Sequence, residues 1–196
     1  MDFDSKLEFT RYINNQFDIY HFYDHYAKLT ELVKEPDYTL EITKTVTSNY
    51  ALFFRLENFK AQAKYLNNTK RGAGKDNDFT IIDDQIFQFE IKKASNPGKH
   101  HVIQQFEGGR RWLAHLLPLA LHHNYPQYTD IYNIYIFIPA SPQRGLSRTP
   151  EYWHDEDKQY GIVYLNSPKV TTLSLDKIIH RTLQDHYIDM HLTYWQ

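Results

Sequence analysis

Asp78, Glu90 and Lys92 are the residues whose types and spacing could do chemistry in this chain. Glu90-Ile91-Lys92 closes the run Ile86 to Lys92, and alternate side chains of a strand share a face. Gln88, Glu90 and Lys92 would therefore line one face, with Phe87, Phe89 and Ile91 on the other. A merely solvated face would be satisfied by any polar residues, whereas this one offers a carboxylate beside an ammonium. Asp78 opens the preceding β run, Asp78 to Asp83, and so little chain separates the two runs that an antiparallel hairpin is expected. Such a hairpin would bring the Asp78 carboxylate beside Glu90. Two carboxylates in one cleft repel each other unless a cation bridges them, and hard oxygen ligands select magnesium, manganese or calcium. A magnesium ion held there would polarise a phosphoryl oxygen and lower the pKa of a water nucleophile. Lys92 would position that water or neutralise charge developing on phosphate.

Charge placement agrees with a phosphate-bearing ligand. Residues 58 to 75 hold Lys60, Lys64, Lys70, Arg71 and Lys75 and no acid, and residues 92 to 111 hold Lys92, Lys93, Lys99, Arg110 and Arg111 against only Glu107. The two blocks flank the acidic pair in sequence. The chain as a whole carries 22 basic against 24 acidic residues, a formal charge of -2, so the total does not announce a nucleic-acid binder. Phosphate contacts need a local basic surface, not a basic total. Lys70, Arg71, Lys75, Lys93, Lys99, Arg110 and Arg111 are accordingly the candidate nucleic-acid contacts.

The elements that must position these residues follow from periodicity and turn chemistry. Apolar residues from Leu7 to Val33 recur at helical spacings, and Pro36 closes that segment. Tyr38 to Val46 alternates and reads as a strand or extended arm. Ser48 to about Leu66 is expected to be a second helix capped by Ser48, and Asn67 to Asn77 a polar basic loop. Beyond the hairpin, Asn96-Pro97-Gly98 is a turn and His101 to His122 reads as helical, with Gly108-Gly109 and Pro118 as costs within it. Ile131 to Ile138 is apolar enough to be a strand buried on both faces, residues 140 to 158 a loop, Gly161 to Leu165 a short strand, and Ser174 to Tyr187 a closing helix. The expected architecture is α/β, with residues 1–46 as an N-terminal helical extension or arm and residues 47–196 as the main domain.

The Asp78, then Glu90-Ile91-Lys92 pattern in a hairpin, followed by a helix and a strand, resembles the PD-(D/E)xK nuclease superfamily. That superfamily has the restriction-endonuclease-like fold and includes type II restriction enzymes and archaeal Holliday junction resolvases. The resemblance covers roughly residues 48–138 and implies a central mixed β-sheet flanked by helices. It further implies that Asp78, Glu90 and the backbone carbonyl of Ile91 bind Mg²⁺, with Mn²⁺ able to substitute. Many members place a glutamate on the helix before the first motif and a glutamine on the helix after the last, positions suited to Glu57 and to Gln104 or Gln105. The implied activity is Mg²⁺-dependent hydrolysis of DNA phosphodiester bonds, on duplex or branched DNA and as a homodimer, in restriction, phage defence, recombination or repair. A catalytically silent module of the same fold, binding DNA or a protein partner, is the alternative. Two departures stand out: Asn77-Asp78 replaces Pro-Asp, and the first strand expected between the early helix and Asp78 must be very short or displaced.

Other patterns lead elsewhere or nowhere. The absence of cysteine removes disulfides, thiolate metal sites and cysteine nucleophiles. Gly72-Ala73-Gly74-Lys75 lacks the glycine at 69 and the hydroxyl residue at 76 of an ATP-binding phosphate loop, so no ATP is expected. His21 and His25 sit one helical turn apart without the glutamate of a metalloprotease, and Asp155-Glu156-Asp157 reads as a solvated loop. His100 and His101 adjoin the second basic block, and tyrosines 12, 20, 23 and 26 suggest packing or a dimer surface, with base stacking as the other use. The acidic start, Met1-Asp2-Phe3-Asp4, is unlike a leader, and no apolar run approaches a membrane span, so the cytoplasm is the expected location and no membrane partner is expected.

Overall fold

A computed structural model describes residues 3–13, 20–22, 26–32, 39–45, 51–63, 75–83, 85–96, 99–121, 131–141, 149–154, 160–166 and 172–182. The chain opens with α1 (Phe3–Tyr12), whose Asp4 and Arg11 lie at the ends that suit the helix dipole. The helix expected to run on to Val33 stops there, and the described residues that follow in that stretch form β1 (Tyr20–Phe22) and β2 (Tyr26–Leu32). Apolar spacings of six and seven fit more than one period, and aromatic residues such as Tyr20, Phe22 and Tyr26 suit a strand once a partner is available. β2 finds that partner in β3 (Thr39–Thr45), where a strand was expected, through antiparallel pairing from Tyr26–Thr45 to Leu32–Thr39.

The helix expected over Ser48 to Leu66 divides into β4 (Ala51–Phe54) and α2 (Leu56–Ala63). All four residues of β4 are buried, which a strand covered on both faces accommodates and a one-sided helix does not. β1 pairs antiparallel with β4 at one edge, and β4 pairs antiparallel with β5 (Phe79–Ile82). Among the described residues no strand lies between α2 and Asp78, and β4 precedes α2 in the chain. The expected hairpin follows as β5 and β6 (Ile86–Ala94), in antiparallel register from Phe79–Phe89 to Ile82–Ile86.

From β6 the chain crosses through α3 (Lys99–Leu121) to β7 (Ile131–Pro139), which returns parallel to β6 and is buried along its whole length. Within the stretch expected to be a loop, β8 (Glu151–His154) forms an antiparallel edge strand on β9 (Gly161–Tyr164). Pairing with β9 supplies what the polar composition of residues 140 to 158 conceals. β10 (Thr172–Ser174) and α4 (Leu175–Thr182) complete the described chain, and the Ser174 hydroxyl accepts the Lys177 N–H at 3.3 Å as a cap of α4.

The result is a mixed seven-stranded sheet, β1-β4-β5-β6-β7-β9-β8, and a three-stranded sheet, β10-β3-β2. Alternation along the strands assigns the two faces. Phe53, Phe79, Ile81, Phe87, Phe89, Ile91, Ile134 and Ile136 pack with Leu173, Leu175 and Ile178 of β10 and α4. On the opposite face, Leu52, Phe54, Ile82, Ile86 and Ile131 meet Phe9 of α1 and Trp112, Leu113 and Leu117 of α3. α1 is tied to this face by a fully buried Lys6–Asp83 ion pair at 3.5 Å, so part of the N-terminal segment enters the main layer structure. Among the described residues no helix is long and apolar enough to cross a membrane.

Candidate active site

Along the α3-facing side of β6, even-numbered residues grade from core to surface. Ile86 sits in the apolar layer, Gln88 and Glu90 are polar yet fully buried, and the Lys92 side chain is 39% exposed at the mouth. With its amide O and N assigned to match the groups around them, Gln88 binds the α3 backbone, donating to the Phe106 carbonyl at 3.0 Å and accepting from the Arg110 N–H at 3.3 Å. That bond satisfies a buried amide and registers α3 against the strand. Beyond it, Lys92 ion-pairs with Glu90 Oε1, and the same oxygen accepts from Gln105 Nε2 at 3.2 Å.

Asp78 stands where β5 begins. Its N–H donates to the Phe89 carbonyl at 2.9 Å, extending the ladder by one rung, and its Oδ2 accepts the Ile91 N–H at 2.6 Å. The carboxylate therefore caps β6 at the point where β5 runs out. Strand alternation directs the Ile91 carbonyl toward the same edge. The hairpin thus gathers Asp78, Glu90 and Lys92 at one end of the sheet.

Segment 75–77 lies over α3, and the glycine pair explains how. A Cβ on Gly108 would stand 2.1 Å from the Lys75 carbonyl oxygen, and one on Gly109 would stand 2.0 Å from Asn77 Oδ1. Only glycine admits the backbone this close. Asn77, which stands where the resembled motif has proline, is buried and donates to the Phe79 carbonyl at 2.5 Å and to Thr80 Oγ1 at 3.1 Å. Its amide closes the turn into β5 immediately before Asp78. Asp76 ion-pairs with Lys60 of α2.

Electrostatics reflect the crowding. Burial, then the Asp78 charge, pushes the Glu90 carboxyl up from 4.5 to about 7, against the opposing pull of Lys92 and Gln105. Burial likewise raises Asp78 and Asp76, opposed by the Ile91 N–H and Lys92 at Asp78 and by Lys60 at Asp76. Burial works against the Lys92 ammonium, but the hydrogen bond and charge of Glu90, with Asp78 and Asp76, outweigh it and the net shift is upward. Buried acids held this close favour protonation or a cation.

Several predicted residues lie at the margin. Glu57, in the first turn of α2, has a side chain 57% exposed, sits 3.7 Å from Arg55, and adds negative potential at Asp76 and Asp78. Gln105 reaches Glu90, whereas Gln104 is exposed on α3. Lys75 is half-buried and Lys93 is half-buried near the end of β6. Arg110 is half-buried, with burial lowering its pKa, and Arg111 is exposed and pairs with Glu107 at 3.9 Å. Lys70 and Arg71 lie outside the described residues, as does the side chain of Lys99. Asp76 and Lys60 are the partners at this end that motif reasoning passes over. Asp76-Asn77-Asp78 spacing was their one available signal.

The donor set suits a hard divalent cation. Glu90 Oε2 and Asp76 Oδ2 are buried without a hydrogen-bond partner, a costly state for carboxylate oxygens. Among the described residues no group of three His, Cys, Asp or Glu side chains surrounds one point, so a cation here would rely on Asp78, Glu90 and backbone oxygen. Comparison with protein families, curated proteins and solved structures finds no match.

The Gln105 contact yields a sharp test. Gln105→Ala is expected to cost about tenfold in any Glu90-dependent activity, the lower range for groups that orient ligands. Gln104→Ala, on the exposed side, is expected to change it by less than about twofold, since it makes no contact with the ligand-orienting set. Parallel turnover assays of the two variants measure the difference.

Proposed function

We propose that the chain is a Mg²⁺-dependent DNA endonuclease of the PD-(D/E)xK type, hydrolysing phosphodiester bonds in duplex or branched DNA. The observation that carries this reading is the convergence of Asp78, a buried Glu90 and Lys92 at the open end of the β5–β6 hairpin. The topology supports it: the antiparallel strands β4, β5 and β6 and the parallel β7, reached through the crossover helix α3, form the centre of the sheet, with α2 between β4 and β5. The hairpin, crossover helix and parallel strand agree with a restriction-endonuclease-like core, while α2 between β4 and β5, and β1 to β3 between α1 and β4, depart from it.

Asp78, Glu90 and the Ile91 carbonyl would hold the cation, which supplies charge neutralisation and Lewis acidity at the scissile phosphate. Gln105 orients the Glu90 carboxylate. Lys92, half-exposed at the mouth, keeps its proton and offsets negative charge as phosphate charge builds. The half-buried Arg110, with Lys75 and Lys93, would meet the flanking phosphates, and a homodimer would allow cuts in both strands.

Purified protein incubated with supercoiled plasmid and Mg²⁺ tests the reading. The expected result is nicked and linear DNA, abolished by EDTA and in Glu90→Ala and Lys92→Ala. DNA retention without cleavage at any Mg²⁺ or Mn²⁺ concentration would sink it and favour a silent binding module. An RNA substrate in the same assay checks the choice of nucleic acid.

A further inference from the structure

Tyr135 faces Glu90 across the β6–β7 ladder. The two are register partners in parallel strands, so their side chains leave the sheet on the same side, toward α3. Both are buried: Tyr135 is 1% exposed and Glu90 not at all. The phenol ring is fixed by aromatic neighbours, Phe137 at 6.1 Å and Tyr160 at 5.9 Å between centroids, and by Val102 and Phe106 of α3. Its hydroxyl has no hydrogen-bond partner, and neither do Glu90 Oε2 and Gln105 Oε1. Glu90 is among the charges acting on this hydroxyl.

A buried phenol with nothing to bond carries the full desolvation cost of that group. Phenylalanine would fill the same aromatic pocket without that cost, so the packing by itself does not account for the hydroxyl. The three unpartnered atoms comprise two acceptors and one group able both to donate and to accept. The Tyr135 hydroxyl and Glu90 Oε2, at one register position on one face, are a donor and an acceptor that one buried water can join.

We propose that Tyr135 is a positioning residue for Glu90: through one buried water, its hydroxyl fixes the Glu90 Oε2 oxygen and so the carboxylate that would grip the metal. The assignment deepens the nuclease reading and rests on it. Gln105 restrains one oxygen of Glu90 and Tyr135 the other, so the carboxylate plane is held from two sides before the cation arrives. Restraint of this kind raises metal affinity without adding a ligand.

Calorimetric titration of Mn²⁺ into the full-length metal-free protein, with thermal unfolding of the same samples, tests this. Tyr135→Phe is expected to bind Mn²⁺ about tenfold more weakly, within the range for residues that orient ligands, while its metal-free Tm changes little. Phe137→Leu, which disturbs the same aromatic cluster without removing a hydroxyl, is the packing control and is expected to lower Tm with little change in affinity. Unchanged Mn²⁺ affinity in Tyr135→Phe overturns the assignment, and so does an equal loss in Phe137→Leu. A wild-type protein that binds no Mn²⁺ is a different failure: it removes the metal reading itself, and this assignment with it.

Discussion

Glu90→Gln is expected to produce a protein that no longer cleaves DNA with Mg²⁺ yet is more stable than the parent, when metal-free, above pH 7. Glu90 is a carboxyl raised by burial from 4.5 to about 7. Between those values the folded chain holds a proton that the unfolded chain has released, so stability falls as pH climbs through the window. Below about 4.5 both states are protonated and the penalty is gone. Above about 7 the full difference applies, on the order of 3–4 kcal/mol, since each pKa unit is worth about 1.4 kcal/mol. Glutamine keeps the shape and the Gln105 contact but never ionises, so its unfolding free energy should lose this slope.

The same substitution removes the proposed cation ligand, and the loss of cleavage should exceed about a hundredfold, above the usual range for a group that only orients a ligand. Urea unfolding at pH 5 and pH 8, with EDTA, measures the first effect, and plasmid cleavage measures the second. A variant no more stable than wild type at pH 8 would mean that Glu90 carries no strain. Added Mg²⁺ should narrow the stability gap from the wild-type side, because it stabilises only the chain that binds it.

The second large effect is expected at Gly108. On an exposed helix, Gly→Ala gains about 1 kcal/mol from helix propensity. Here the new methyl group would stand 2.1 Å from a backbone carbonyl oxygen, that of Lys75, and no side-chain rotation relieves a backbone clash. Forcing segment 75–77 away should cost about 1–3 kcal/mol or more, as overpacking does, and outweigh the propensity gain. Asp78 follows that segment directly, so the Ile91 N–H bond that seats its carboxylate moves with it. Displacements near 1 Å in a reacting constellation cost about a hundredfold in rate. Gly108→Ala is therefore expected to lower both Tm and cleavage. Gly109→Ala meets the ends of the Asn77 and Gln88 side chains instead, and its effect on Tm is expected to be smaller. Thermal melts and single-turnover cleavage of both variants compare the two.

These glycines also mark where reading the sequence misleads. Gly108-Gly109 looks like a weakness inside a helix until the loop that presses on it is known, and that loop is distant in sequence. The same holds for the stretch from Leu7 to Val33. Local periodicity is compatible with a helix throughout, but β1 and β2 gain hydrogen-bonding partners from β4 and β3, and those pairings outweigh propensity. The mistaken N-terminal half of the Ser48–Leu66 helix has the same origin, since β4 is buried on both faces by elements far along the chain. Gln104 and Gln105 were indistinguishable by type, and only the rotation of α3 about its axis selects Gln105.

What the amino-acid order determined by itself was the hairpin, its two faces, and the presence of Glu90 and Lys92 on one of them. Those features depend on the two-residue repeat of a strand and on a short turn, both local. Only tertiary structure decided that Glu90 would be fully buried, that Asp78 would cap Ile91 where its partner strand ends, and that Asp76, Lys60, Gln105 and Tyr135 would gather around them. Burial and charge proximity are properties of segments brought together from α2, α3 and β7, and no spacing along the chain encodes them.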